Sequence, residues 1–264
     1  MKSESTGAKL NLSLAVTGKR GNMHTLDMRV CTADVCDRAE LLPGEGERFV
    51  FRSFPEGFVP ERFVPRLNAV YGKLRARFGG DLRFLIDKNI PSGMGLGGSS
   101  ALAACMARLW AAETGETPDA ELLLSLGSDV PYMYLGGDAR VTGAGECVEE
   151  LPFTPRKVLV ALPEGGVDTA AAYAEYDAMK ARGDLPPREG EYFNDLYAPA
   201  AKLNPGTARA VAVLRAAGAE NVVMTGSGSA VCAFFADGAE RDRVRAAAER
   251  EVRCTVCDTL PKRR

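Results

Sequence analysis

The feature that most constrains this sequence is a glycine-rich stretch, IPSGMGLGGSSALAA at residues 90–104, which runs directly into an alanine-rich segment. The residues before it, DLRFLIDKN, are typical of a β-strand, and residues 101–114 are typical of a helix that ends at Gly115. Ordering so many glycines costs conformational entropy, so something must reward it. A strand, a glycine loop and a helix in this order direct free N–H groups and a helix dipole at one anion. The loop therefore predicts a phosphate-binding site.

Two common nucleotide motifs do not describe this loop. It lacks the Gly-Lys-Ser/Thr ending of a Walker A loop, and it is not a G-x-G-x-x-G turn near the start of a βαβ unit. Ser99 and Ser100 can add hydroxyl donors or contact Mg²⁺ through oxygen. The alternative interpretation is a flexible connection where a strand and a helix pack tightly.

Composition excludes several classes of protein. The 264 residues have a net charge of −2, so no overall basic field attracts nucleic acid or a membrane. The one histidine, His24, excludes a metal centre built on several histidines, and no GxSxG elbow accompanies it. The 7 cysteines are an odd number and suit reduced thiols. With no apolar run of transmembrane length and no signal-peptide core, we expect a cytoplasmic protein without nucleic-acid or membrane partners.

The order of strand and helix patterns predicts an α+β protein with two domains. The chain begins with a β-hairpin and a third strand near residues 38–42, and residues 127–151 are expected to be a loop and a strand pair. The pattern restarts after Pro152 and Pro155, which places the domain boundary there. We therefore predict domains at residues 1–154 and 155–264. Cys254 and Cys257 have metal-ligand spacing but no second pair, so they are expected to be residues of a last strand.

The segment PSGMGLGGSS, residues 91–100, resembles the ATP-binding motif of the GHMP kinase superfamily of galactose, homoserine, mevalonate and phosphomevalonate kinases. Five other motifs and the single histidine occur in the order found in the members that phosphorylate 4-diphosphocytidyl-2-C-methyl-D-erythritol in the non-mevalonate isoprenoid pathway. These motifs are AKLNLSLAVTGKR, GSDVPYMYLGGDARVTGAGE, GVDTAAAY, FNDLYAPA and VVMTGSGSAV. The resemblance covers almost the whole chain. It implies a domain similar to ribosomal protein S5 domain 2, then a ferredoxin-like domain, with the active cleft between them.

The resemblance also implies ATP and Mg²⁺ as cofactors and assigns residues to them. The residues implied to bind ATP are Pro91, Gly93, Gly95, Leu96, Gly97, Gly98, Ser99 and Ser100. Ser100 is also the candidate metal ligand. Lys9 and Asp129 are implied to form the catalytic pair, in which Asp129 orients or deprotonates the substrate hydroxyl and Lys9 stabilises charge. Without the resemblance, the favoured interpretation of Asp129 is a helix-end turn residue, and that of Lys9 is a solvated strand lysine.

The substrate pocket is expected to combine residues from three motifs. Asn11 shares a strand face with Lys9 and can bind the polyol, while His24 and Tyr173 match residues that read and stack on cytosine. The turn residues Gly226, Ser227 and Gly228 are further candidates. If these residues do not bind substrate, His24 is a residue of the hairpin turn, Tyr173 is a core residue on a helix face, and residues 226–228 form a tight structural turn. The motif TGAGE, residues 142–146, is expected to be structural.

Three residues depart from the family pattern. Met23 replaces a stacking tyrosine, Ala101 follows the serines where the family has Asp or Asn, and Tyr197 replaces a glutamate. These changes concern the cytidyl substrate more than the phosphoryl transfer. The alternatives are therefore a kinase for a homoserine-type or mevalonate-type alcohol, or a binding protein without turnover. The presence of both Lys9 and Asp129 argues against the latter, and we expect a monomer or a homodimer.

Overall fold

The computed structural model describes residues 2–263. The outer bounds of the two predicted domains, residues 1 and 264, lie outside them. The strands are β1 (Ser3–Arg20), β2 (Met23–Leu41), β3 (Phe49–Ser53), β4 (Phe84–Asp87), β5 (Ala139–Gly143), β6 (Cys147–Glu150), β7 (Lys157–Leu162), β8 (Phe193–Asn194), β9 (Asn221–Met224), β10 (Val231–Phe235) and β11 (Arg253–Leu260).

Helices α1 and α2 flank the glycine loop, and the remaining helices follow it. The helices are α1 (Pro60–Phe78), α2 (Gly98–Thr114), α3 (Ala120–Leu126), α4 (Val130–Leu135), α5 (Thr169–Arg182), α6 (Tyr197–Leu203), α7 (Pro205–Ala216) and α8 (Gly238–Ala248). Within the described residues, no helix is both long enough and apolar enough to cross a membrane.

The first hairpin is longer than the sequence pattern indicates. β1 and β2 pair antiparallel almost from end to end, and β1 has three register irregularities that let the long ribbon curve. The prediction of a separate third strand near residues 38–42 is wrong, because residues 38–41 are the end of β2 and pair with β4. The alternation of apolar residues continues through this region, so the ribbon bends without a turn.

The second half of the chain confirms the ferredoxin-like prediction. β7, β9, β10 and β11 form an antiparallel sheet in the order β11-β7-β10-β9, with helices after β7 and after β10. This is the β-α-β-β-α-β arrangement with the last strand beside the first. Cys254 and Cys257 lie in β11, as expected, and all 7 cysteines are free thiols.

The two halves share backbone hydrogen bonds. The end of β11 pairs with β2 at residues 32–33, and the short β8 pairs in parallel with β1. One apolar cluster contains residues from both halves, whereas a second cluster contains only residues between Leu159 and Ala248. The boundary between residues 154 and 155 therefore stays a prediction.

The predicted loop at residues 127–151 contains an additional helix. α4 occupies residues 130–135 with Pro131 in its first turn, and β5 and β6 follow as expected. Six residues are too few to give a recognisable helical period. This helix matters for function because Asp129 is the residue that immediately precedes it.

A buried ion pair supports the start of the glycine loop. Lys88 Nζ lies 2.8 Å from Asp37 Oδ2, and both side chains have 0% exposure. The other carboxylate oxygen of Asp37 accepts hydrogen bonds from the amides of Asn89 and Ile90, and Lys88 also donates to the Ile90 carbonyl. Burial raises the pKa of Asp37 and lowers the pKa of Lys88, because both charges are removed from water.

We expect Lys88→Met to lower the free energy of unfolding by about 3–5 kcal/mol, because it leaves the Asp37 charge buried and unpaired. The double variant Asp37→Asn/Lys88→Met removes both charges and should recover more than half of this loss. Urea unfolding followed by fluorescence of Trp110, the one tryptophan, measures both effects. A double variant as unstable as the single one would contradict a charge-based origin.

Candidate active site

A cleft of about 510 Å³ lies where the glycine loop meets the second half of the chain. All eight residues predicted to bind ATP line it, together with Lys9, Asp129 and Tyr173. The turn residues Gly226 and Ser227 also line it, whereas Asn11, His24 and Gly228 do not. The structure therefore gathers most, but not all, of the predicted site around one cleft.

The glycine loop requires glycine at defined positions. Gly95 has φ +77° and Gly97, the residue before α2, has φ +75°, a region that favours glycine. A Cβ on Gly95 would lie 2.1 Å from the carbonyl oxygen of Thr225, which no side chain can accommodate. The loop is therefore packed tightly against a second glycine turn, residues 225–228. It leads directly into the N-terminus of α2.

Three backbone hydrogen bonds from distant elements hold this loop. The amide of Lys9 donates to Leu96 O (3.0 Å) and the amide of Val167 donates to Gly93 O (3.3 Å). The amide of Ala230 donates to Met94 O (3.2 Å). Because these donors belong to β1, the segment before α5 and the segment before β10, the loop is ordered by the fold itself. Part of the entropic cost of its glycines is thus met before any ligand binds.

Lys9 and Asp129 form an ion pair at the floor of the cleft. Lys9 Nζ lies 3.0 Å from Asp129 Oδ1, and the exposed fractions of the two side chains are 4% and 27%. Asp129 precedes α4, where an aspartate commonly caps a helix, but its carboxylate turns to Lys9 instead. The carboxylate is thus the member of the pair that a substrate hydroxyl can reach, with the ammonium group behind it.

The motif TGAGE is a structural turn, as predicted, and it supports Asp129. Gly145 lies in the turn between β5 and β6, and a Cβ there would stand 2.1 Å from the carbonyl oxygen of Ser128. The turn therefore packs directly on the backbone next to Asp129. Sequence reasoning missed this contact, since a glycine in a hairpin turn has no signal that distinguishes packing from flexibility.

Asn11 is placed differently from its prediction. It is fully buried, and its Oδ1 accepts a hydrogen bond from the Gly226 backbone amide (2.9 Å), while the backbone amide of Asn11 donates to Thr225 Oγ1 (3.1 Å). Asn194 of the FNDL motif donates from Nδ2 to Met224 O (2.7 Å) and Gly226 O (2.8 Å). In this structure, Asn11 is hydrogen bonded to the second glycine turn and is not part of the cleft lining.

His24 and Tyr173 lie together, as the resemblance implies. Their rings stack with centroids 4.5 Å apart and planes 19° from parallel. His24 Nε2 lies 2.9 Å from Asp177 Oδ1, and the other oxygen of Asp177 accepts from Lys19 Nζ at 2.7 Å. Burial raises the pKa of the Tyr173 phenol, and the nearby Asp129 carboxylate raises it further. Asp177 was not predicted, since a surface aspartate on a helix carries no sequence signal.

A second cavity of about 450 Å³ lies under residues 185–197. Its lining contains none of Lys9, Asp129 or the glycine-loop residues. The chemistry of the site therefore points to the cleft beside the loop.

The comparisons with known proteins agree with this geometry. The model of the GHMP kinases N terminal domain matches residues 66–137, and the model of the GHMP kinases C terminal domain matches residues 177–254. The 4-diphosphocytidyl-2-C-methyl-D-erythritol kinase of Paracoccus denitrificans is 35% identical over 92% of this chain and 90% of its own length. The enzyme of the same name from Thermus thermophilus is 34% identical, with coverage of 92% and 90%.

Solved structures extend the agreement to the fold. A crystal structure of 4-(cytidine 5'-diphospho)-2C-methyl-D-erythritol kinase superimposes with a TM-score of 0.74 and 28% identity, covering 98% of this chain and 99% of the other. A crystal structure of L. major mevalonate kinase, at 13% identity and a TM-score of 0.72 over 99% and 96% of the two chains, shares the fold. The chain belongs to the GHMP kinase family. It is an ATP-dependent phosphotransferase that acts on an alcohol, and its two-domain α+β fold is that of the family.

We expect Gly95→Ala to lower both stability and ATP affinity, because a methyl group would collide with the Thr225 carbonyl and the φ of Gly95 disfavours alanine. A loss of more than about 3 kcal/mol in unfolding free energy is expected for such overpacking with strain. Gly72→Ala is the matched control, since Gly72 lies in α1 facing open space and alanine there should be neutral or stabilising. Equal thermal stability of the two variants would contradict the close contact.

Proposed function

We propose that this kinase phosphorylates the free hydroxyl of 4-diphosphocytidyl-2-C-methyl-D-erythritol, with ATP as the donor and Mg²⁺ as the metal. The observation that carries the phosphoryl transfer is the Lys9–Asp129 pair, whose carboxylate faces a cleft next to the N-terminus of α2. The support for this alcohol is the 33–35% identity to curated relatives of that name over most of both chains. The stacked His24 and Tyr173 add support for a cytosine-containing substrate.

The glycine loop is the proposed binding site for the phosphates of ATP. Its backbone amides and the hydroxyls of Ser99 and Ser100 line the cleft at the start of α2. Amide donors and a helix N-terminus are well suited to phosphate oxygens. A Cβ on Gly97 would lie 2.9 Å from Met133 Sδ and a Cβ on Gly98 would lie 2.8 Å from Lys88 Nζ, so these glycines let α2 begin close against buried side chains.

Mg²⁺ fits this site as a metal bound chiefly through phosphates. Among residues 2–263, no group of three or more His, Cys, Asp and Glu side chains is arranged to hold a metal ion. Mg²⁺ commonly takes one or two protein oxygens, with phosphates and waters completing its shell. We propose that Ser100 Oγ supplies one such oxygen, and the bound ion would neutralise phosphate charge.

The proposed reaction needs little covalent chemistry from the protein. Asp129 orients the substrate hydroxyl and accepts its proton as the oxygen attacks the γ-phosphorus. Lys9, almost fully buried behind it, balances the carboxylate charge and restricts its position. The hydrogen bond from the Lys9 backbone amide to Leu96 O joins β1 to the loop, so Lys9 and its partner are held beside the proposed phosphate site.

The proposed cytosine site lies at the end of the cleft near the first hairpin. His24 covers one face of the Tyr173 ring, so a base that stacks on Tyr173 uses the opposite face or displaces the imidazole. Asp177 fixes His24 through Nε2 and is itself held by Lys19. Met23, 52% exposed beside His24, is free to pack on a base as a flexible apolar side chain. This arrangement accommodates the change from the family tyrosine.

We expect Asp129→Asn to lower kcat by at least about a hundredfold, because the amide cannot accept the hydroxyl proton. The affinity for ATP should change less than threefold, since the carboxylate is assigned to the acceptor. Steady-state kinetics and nucleotide titration measure the two effects. Asp184→Asn, which breaks an exposed ion pair with Arg182, is the control and should behave as the unaltered protein. Near-normal turnover of the Asp129 variant would remove this residue from the role.

The identity of the alcohol is tested with a panel of acceptors. We expect phosphorylated product from 4-diphosphocytidyl-2-C-methyl-D-erythritol with ATP and Mg²⁺, and none above background from homoserine or mevalonate. Cytidine nucleotides should protect the protein against thermal unfolding, since binding to the folded state stabilises it. Protection by ATP without protection by any cytidine nucleotide, together with product from another alcohol, would contradict the proposed substrate while leaving the kinase chemistry intact.

A further inference from the structure

The cations in and beneath the cleft differ in whether each is paired with a carboxylate. ATP carries several negative charges, and phosphoryl transfer depends on cations placed against them. Lys9 is paired with Asp129, and Lys88, beneath the loop, has 0% exposure and is paired with Asp37. Arg66, in α1, also lines the cleft and is exposed. Among residues 2–263, no carboxylate lies within ion-pair distance of it. Arg66 is therefore the cation of the cleft lining that is available to a ligand.

The position of Arg66 places its guanidinium group beside the start of α2. A Cβ atom placed on Gly127 would lie 3.0 Å from a terminal nitrogen of Arg66 and 3.5 Å from Ser100 Oγ. Arg66 and Ser100 therefore border the same small space. Gly127 ends α3 and is followed by Ser128 and Asp129, both in the cleft lining. A side chain on residue 127 would fill this space and displace the guanidinium.

From these positions we infer that Arg66 binds the γ-phosphate of ATP and stabilises it during transfer. The inference rests on the proposed ATP-dependent reaction and adds a residue to it. A guanidinium group offers several donors in a plane that matches phosphate oxygens, and it stays charged at any physiological pH. Its terminal nitrogen is close to Gly127, two residues before Asp129, and it shares the cleft lining with Ser100 and Asp129.

The assigned role leaves the balance of the reaction unchanged. The substrate oxygen forms a bond to the γ-phosphorus as the bond from that phosphorus to the bridging oxygen breaks, and ADP leaves with the electron pair. Asp129 takes the hydroxyl proton. Arg66 neither gains nor loses a proton, and it donates hydrogen bonds to oxygens that carry the transferred charge throughout.

Nucleotide binding tests the contact without any acceptor alcohol. We expect Arg66→Gln to weaken binding of the non-hydrolysable analogue AMP-PNP with Mg²⁺ by about tenfold, the effect of a lost hydrogen bond to a charged group. Binding of ADP with Mg²⁺ should change less than twofold, because ADP lacks the γ-phosphate. Arg75→Gln, on the same helix and paired at the surface with Asp81, is the matched control and should change neither. Equal losses for both nucleotides, or no loss for either, would overturn the assignment.

Turnover provides the second arm. We expect Arg66→Gln to lower kcat by about a hundredfold, with a smaller change in the KM for the alcohol, in line with the loss of one donor to the transition state. Arg66→Lys keeps the charge and should recover part of kcat. Circular dichroism and thermal unfolding confirm that the variants fold. Unchanged kcat in a folded Arg66→Gln protein would overturn the inference, whereas failure of the unaltered protein to phosphorylate the cytidyl alcohol would count only against the proposed substrate.

Discussion

The active cleft depends on the contact between two glycine turns that are about 130 residues apart in sequence. Gly95 of the first turn lies against Thr225, and Gly226 of the second turn lies against Gly95, so close that a Cβ on either glycine would overlap backbone atoms of the other turn. Such an approach needs glycine on both sides. Because Asn11 and Asn194 hold the second turn through its backbone groups, the glycine loop is positioned by buried amides from both halves of the chain.

The two buried lysines near the loop, Lys88 and Lys9, have different roles. Lys88 is completely enclosed with Asp37, and its charge is used to fix the backbone where the loop begins. Lys9 is enclosed as well, but its partner Asp129 is 27% exposed and faces the cleft. This asymmetry determines which group can meet a substrate. A buried pair stabilises little in net terms, so the second pair is better understood as a device that presents one carboxylate in a defined position.

Much of this arrangement could be predicted from the sequence, and the misses have physical causes. The eight loop residues predicted to bind ATP, Lys9 and Asp129 belong to contiguous motifs, and the structure places all of them along one cleft. Asn11 could not be placed, because strand alternation gives a face of the sheet but not what packs against it. Helix α4 was too short to show a period, and Arg66 looked like any solvated helix arginine. These features depend on contacts between segments distant in sequence, which no local pattern encodes.

The shared strands limit how the cleft can change during a reaction cycle. The end of β11 is hydrogen bonded to β2, β8 is hydrogen bonded to β1, and Asp195 accepts a hydrogen bond from the Val16 amide at 2.7 Å. Rotation of one half against the other would break these bonds together with the contact between the glycine turns. Rearrangement of exposed side chains such as Arg66 and Met23 breaks none of them. The frame of the cleft is thus tied together by hydrogen bonds from both halves, and exposed side chains that line it, such as Arg66, can rearrange without breaking them.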